Sequence, residues 1–128
     1  MKITKIIYLS CTPISKIVGD KIDPWWYLNN GFKVEFWNLS AIYYSKKSLD
    51  HYFGGATDYK FIFPNEKVII KKITLEEELK KVREDTIFNL IDFGQGNDLW
   101  ILSLFKRYKI EYFIGPHNSY DSLAYPSK

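Results

Sequence analysis

Two stretches of this chain hold residues whose types and spacing could do chemistry. The first is Asp92 followed by Phe93-Gly94-Gln95-Gly96-Asn97-Asp98, and the second is His117 with Asn118 and Ser119. A glycine turn that opens a helix exposes backbone N–H groups, so Gly94, Gln95, Gly96 and Asn97 could bind a phosphate or another oxyanion. Asp92 and His117 could then act as an acid–base pair or hold hydroxyls, with Asn118 and Ser119 as neutral hydrogen-bonding neighbours. A plainer reading stands beside this one: the glycines make a tight turn, Asp92 caps it, and His117 faces solvent.

A third cluster follows the first apolar run. Ser10, Thr12 and Ser15 have the hydroxyl spacing of a flavodoxin phosphate loop, which resembles S-x-T-G-x-T. Pro13 stands where that loop has glycine, and it removes an N–H that an anion cradle would use. An ordinary strand-end loop is the competing reading. The single Cys11 excludes an internal disulfide and a cysteine-based metal cluster. The two histidines, His51 and His117, lie far apart without a coherent carboxylate pattern, so no metal site is expected. No G-x-G-x-x-G, P-loop or G-x-S-x-G is present. Ser10-Cys11-Thr12 stands where a response regulator would need acidic metal ligands. No cofactor is expected on the leading reading.

These groups must be positioned by short strands and helices. Lys5–Ser10 reads as a central strand. Asp23-Pro24 is a helix start, with Gly31 as its stop. Residues 32–37 alternate apolar and polar, as a second strand does. A third strand is expected at Val68-Ile69-Ile70. Thr74 and Glu77 form a capping box for a helix over 75–84 that faces Leu75, Leu79 and Val82 inward. Residues 86–92 form a buried strand, and Asp98 opens a helix through Tyr108 with Leu99, Leu102, Leu104 and Phe105 as core. Residues 111–115 make a fifth strand. Between 38 and 64 lies an irregular, aromatic stretch in which Ser48 could cap a short helix over 49–53. It could form a binding loop or cover a sheet edge. At most one of Trp25 and Trp26 can be fully buried; the exposed one could stack on a sugar or pack on the 14–22 loop. The alternation of strands and helices predicts an α/β fold: an open, doubly wound, Rossmann-like parallel sheet of about five strands flanked by helices. Ligands of such sheets sit beyond the carboxyl ends of the strands.

With 128 residues, 46% hydrophobic and 26% charged, the chain is expected to be one globular domain over residues 1–128. Its formal charge of +3 is mildly basic, and the basic residues are scattered, which argues against nucleic acid as a partner. A weak attraction to an anionic membrane surface would be compatible with it. The amino terminus runs straight into a strand-like segment and no 18-residue apolar run occurs, so a cytoplasmic location is expected.

Lys5–Ser10, the helix ending in Tyr27-Leu28-Asn29-Asn30-Gly31, and the FKVEFWNLS segment together resemble the start of bacterial GT-B glycosyltransferases. More narrowly they are similar to capsule and surface-polysaccharide biosynthesis proteins of that superfamily. IEYFIGPHNS likewise resembles the GT-B strand that ends in a histidine-containing turn, which would place His117 in an interdomain cleft. The resemblance implies an amino-terminal, acceptor-side domain that is inactive alone. It would be completed by a carboxyl-terminal nucleotide-sugar-binding domain, act on a saccharide or lipid-linked acceptor, and associate peripherally with the inner face of the membrane. Two alternatives are a flavodoxin-like module for FMN or another phosphate-bearing ligand, and a non-enzymatic interaction domain using exposed aromatics such as Trp25 or Tyr43.

Overall fold

The computed structural model describes residues 2–53, 61–91, 93 and 98–115, apart from the side chains of Tyr52 and Phe53. The elements run β1 (Lys5–Ser10), α1 (Lys16–Ile22), α2 (Pro24–Asn29), β2 (Lys33–Asn38), α3 (Ser40–Tyr43), α4 (Lys46–Phe53), β3 (Glu66–Val68), α5 (Lys72–Lys80), β4 (Thr86–Ile91), α6 (Leu99–Arg107) and β5 (Tyr112–Ile114). All five strands are parallel, in the order β3-β2-β1-β4-β5. The open α/β sheet expected from the sequence is therefore the fold. Its order is that of the Rossmann fold, in which β1 and β4 flank the point where the chain reverses direction across the sheet.

Period-two alternation divides the strands between two cores. Ile7, Leu9, Trp37, Phe88 and Leu90 point to one face, where Leu75 and Leu79 of α5 and Ile101, Leu104 and Phe105 of α6 cover them. Ile6, Tyr8, Val34, Phe36 and Ile91 point to the other, against Val18 and Ile22 of α1, Tyr27 of α2, and Phe61 and Phe63. The aromatic stretch thus supplies core on its described side: the Phe63 ring stacks on Phe36 with centroids 4.0 Å apart. It is held in place by the Phe61 N–H, which donates to the Ile14 carbonyl at 2.8 Å.

Several local expectations need correction. Residues 16–22 are helical and not a loop, capped by Ser15, whose hydroxyl accepts from the Val18 N–H. The glycine in its middle hid it, since Gly disfavours helix interiors. Gly19 is there because Phe61 packs directly against its Cα. Helix α5 starts at Lys72, with no side-chain cap, so Thr74 lies inside the first turn and its N–H donates to the Lys71 carbonyl. Burial of Leu75 and Leu79, not a capping box, decides where this helix sits. The third strand is Glu66–Val68, displaced from 68–70. Its register is set when the Phe36 N–H donates to the Asn65 carbonyl and the Asn65 side chain donates to the Val34 carbonyl. Helix α4 is opened by Ser45, whose hydroxyl accepts from the Ser48 N–H at 3.1 Å. In α6 the buried stripe is Ile101, Leu104 and Phe105, with Leu99 exposed, because positions three and four apart share a face. The expectation that at most one of Trp25 and Trp26 is fully buried holds: both are about half exposed, at 44% and 53%.

The start of α2 and the phase of α5 match the sequence reading. Asp23 caps α2 by accepting from the Trp26 N–H at 3.2 Å, and Gly31 takes a left-handed φ of 88° after it. Val82 packs beside Leu75 and Leu79. Among the described residues no helix is long and apolar enough to cross a membrane.

Candidate functional site

The carboxyl ends of the parallel strands form one edge, and residues far apart in sequence meet there. β1 ends in Ser10, which pairs with Asn38 of β2 and Ile91 of β4. Its hydroxyl is fully buried and closes its own turn, donating to the Thr12 carbonyl at 2.7 Å and accepting from the Thr12 N–H at 3.2 Å. Ser10 therefore shapes the loop, and Thr12 stands half-buried beyond it. Asn38 is equally committed. Its Oδ1 accepts from both the N–H and the hydroxyl of Ser40, at 3.0 and 2.6 Å, while its Nδ2 donates to Glu66 at 2.8 Å. This network ties the end of β2 to α3 and β3. It also buries the asparagine of the Asn38-Leu39-Ser40 sequon.

A second group surrounds Cys11. The indole Nε1 of Trp100, in the first turn of α6, donates to the Tyr43 hydroxyl at 2.9 Å, and the Lys72 ammonium lies 4.7 Å from the Trp100 ring centroid. Cys11 and Tyr43 share a side-chain hydrogen bond, and the charge of Asp98 bears on both. Burial pushes the Cys11 thiol up to about 11; the Tyr43 hydrogen bond opposes this and Asp98 adds to it. Burial raises the Tyr43 phenol as well. At neutral pH this edge thus offers a protonated thiol and a neutral phenol beside an indole. Such groups hold neutral hydroxyls by hydrogen bonding and ring packing; they do not supply a nucleophile.

Asp92, Gly94, Gln95, Gly96, Asn97, His117, Asn118 and Ser119 lie outside the described residues. The strands that lead to them are neighbours, as the sequence reading supposed. β4 pairs with β5 from Phe88 and Tyr112 to Leu90 and Ile114, and the Gly115 N–H donates to the Leu90 carbonyl at 3.1 Å. Ser10 and Thr12 come to the same edge, next to the end of β4.

Sequence reasoning passed over three features. The Cys11–Tyr43–Trp100 cluster could not be assembled from positions so far apart. Asp98, expected to open the helix, is 3% exposed and its side chain makes no capping hydrogen bond. Asn89 lies in the middle of β4, and its buried Oδ1 has no hydrogen-bond partner among the described residues. An asparagine inside an apolar strand was the available signal, since buried amides are normally satisfied.

At the opposite, amino edge a cleft of about 220 Å³ is lined by Lys5, Lys33, Glu35, Lys67, Lys81 and Arg83, among others. Much of its charge is internally paired: Lys67 and Lys81 both reach Glu78, and Lys5 holds Glu35. It lies away from the strand ends where this fold binds ligands. Among the described residues no group of three or more His, Cys, Asp or Glu side chains could hold a metal ion. No family model, curated protein or solved structure significantly matches the chain.

Proposed function

We propose that this domain is the acceptor-side wall of a sugar-transfer cleft in bacterial surface-polysaccharide synthesis. The observation that carries the reading is the collection of neutral hydrogen-bonding groups and an indole, Thr12, Cys11, Tyr43 and Trp100, at the carboxyl edge of a sheet whose order reverses beside them. In open α/β folds that edge is where ligands bind. A saccharide or the sugar of a lipid-linked acceptor fits neutral donors next to a ring face. On this reading Asp92 and His117 supply acid–base or hydroxyl-binding groups from the ends of β4 and β5. A nucleotide-sugar-binding domain provides the second wall, and the chain alone binds acceptor without turning over a nucleotide sugar.

The flavodoxin-like alternative gains no support. Flavodoxins order their strands 2-1-3-4-5, and here β3 lies outside β2. An interaction domain keeps one specific observation, the half-exposed Trp25 and Trp26 of α2. Titration of the ¹⁵N-labelled chain with mono- and oligosaccharides tests the leading reading. Shifts should concentrate at Cys11, Thr12, Tyr43 and the Trp100 indole, and Trp100→Ala should weaken them roughly tenfold or more, as loss of a ring contact does. Saccharides that leave this edge unmoved, or FMN that moves it, would overturn the proposal.

A further inference from the structure

The cleft at the amino edge holds more positive charge than its own carboxylates neutralise. Five cations, Lys5, Lys33, Lys67, Lys81 and Arg83, line its 220 Å³ with three carboxylates, Glu35, Glu78 and Asp85, a surplus of two positive charges. The ion pairs locate that surplus. Lys5 and Glu35 cancel one another. Glu78 is shared, with Lys67 2.7 Å from one oxygen and Lys81 3.3 Å from the other, so one carboxylate answers two ammonium groups. Asp85 takes its hydrogen bond from the Thr4 hydroxyl, a neutral donor. That bond is the chief reason the Asp85 carboxyl lies below its ordinary 3.8, and the charges of Arg83 and Lys33 add to it. Yet neither cation forms an ion pair among the described residues. Register also sets Lys33 of β2 beside Lys5 of β1, and like charges opposite one another weaken a sheet. The fold thus gathers cations here at a cost to its own stability.

We propose that this cleft binds a small phosphate dianion, either inorganic phosphate or a phosphomonoester, with Lys33 and Arg83 as its principal cations. The guanidinium fork of Arg83 suits two phosphate oxygens, and Lys33 acts as a point charge beside it. A dianion matches the surplus of two. Ile7, Trp37 and Val82 give the cleft apolar walls, which focus the field of its cations. The cations surround one hollow instead of forming a stripe, which suits a small ligand over a polymer. The strands begin at this edge and end at the one bearing Cys11, Tyr43 and Trp100, so the site does not rest on the sugar-transfer reading.

Titration of the ¹⁵N-labelled chain above the second pKa of phosphate, at an ionic strength fixed with chloride, tests it. Inorganic phosphate and glycerol phosphate are the two probes, and the tighter binder names the source. Shifts should saturate with a Kd of about 1 mM or tighter and centre on Lys33, Arg83 and Asp85, leaving Cys11 and Tyr43 unmoved. Lys33→Gln and Arg83→Gln should each weaken binding roughly tenfold, as loss of a charged hydrogen bond does. Both positions are exposed, and the amide spectrum checks that each variant is folded. Lys46→Gln, at an exposed position on α4, should leave binding unchanged. Shifts that do not saturate, equal binding of acetate, or equal weakening by Lys46→Gln would reduce the cleft to general surface charge and overturn the proposal. Unchanged binding by the folded Lys33→Gln and Arg83→Gln variants would overturn it as well.

Discussion

At the residue scale, the properties of the carboxyl edge turn on Cys11. A lone thiol after the first strand invites a nucleophilic role, but burial raises it to about 11 from an ordinary 9.0. That leaves roughly a hundredfold less thiolate at neutral pH than a free cysteine has. Iodoacetamide should therefore label the folded chain at least tenfold more slowly than the denatured one, and the rate should still be climbing as pH approaches 11. Tyr43→Phe should slow labelling further, because the Tyr43 hydrogen bond is what pulls the thiol back down. A native rate equal to that of the denatured chain would refute this account. A neutral thiol and phenol beside Trp100 suit recognition of hydroxyls, and that chemistry was invisible while Cys11 was a letter in a loop.

At the element scale, the face bearing α1 and α2 depends on two small devices. Gly19 lets α1 approach the 61–63 segment: an added Cβ would fall 2.0 Å from Phe61 Cγ and 2.6 Å from its Cβ. The second contact is with the root of the side chain, which cannot swing away. Gly19→Ala should destabilise by about 2–3 kcal/mol in urea unfolding, despite the better helix propensity of alanine. Unchanged stability would mean that α1 does not pack on Phe61. Asp23 is the second device, at once the carboxyl-terminal cap of α1, where its N–H donates to the Gly19 carbonyl, and the amino-terminal cap of α2, with a left-handed φ of 44°. Asp23→Ala should cost about 1 kcal/mol through the lost cap, with a further penalty for the backbone, and Asp23→Asn should restore most of it. Equal effects of alanine and asparagine would exclude the capping role.

At the scale of the whole molecule, carboxylates join elements that the cores alone would leave loosely related. Lys5 and Glu35 link β1 to β2, Lys67 links β3 to Glu78 of α5, and Arg107 and Tyr108 bring the end of α6 onto Glu76. For Glu35, burial raises the carboxyl, but hydrogen bonds from Lys5 and Trp37 outweigh it and hold the group below its ordinary 4.5. Glu76 is lowered chiefly by the Tyr108 hydrogen bond and Glu78 chiefly by that from Lys67. A carboxylate lowered in the folded state stabilises it above the unfolded value and ceases to do so as pH falls through the folded one. Stability should hold above pH 4.5 and decline below it. Glu35→Gln should flatten that decline in urea midpoints measured across the acid range. An identical pH dependence in the variant would remove Glu35 from the account. Added salt should weaken the exposed Glu76–Arg107 contribution first.

Periodicity and punctuation alone determined much of this protein. The apolar run in residues 5–10, the alternation in 32–37, the Asp23-Pro24 start and the Gly31 stop are local signals, and they specified an open parallel α/β sheet and the second of the two helices between its first strands. Leu75, Leu79 and Val82 gave the phase of α5 for the same reason, since the 3.6-residue repeat is written in neighbouring positions. Only the tertiary structure decided the rest. The start of α5 and the helix through Gly19 were chosen by burial against distant residues, which outweighs a capping box or a propensity worth about 1 kcal/mol, and the register of the exposed β3 by the hydrogen bonds of Asn65 to β2. The edge cluster is the clearest case. Cys11, Tyr43 and Trp100 are brought together by strand order, and the sequence holds no local trace of that order because hydrogen-bonded strands need not be consecutive in the chain.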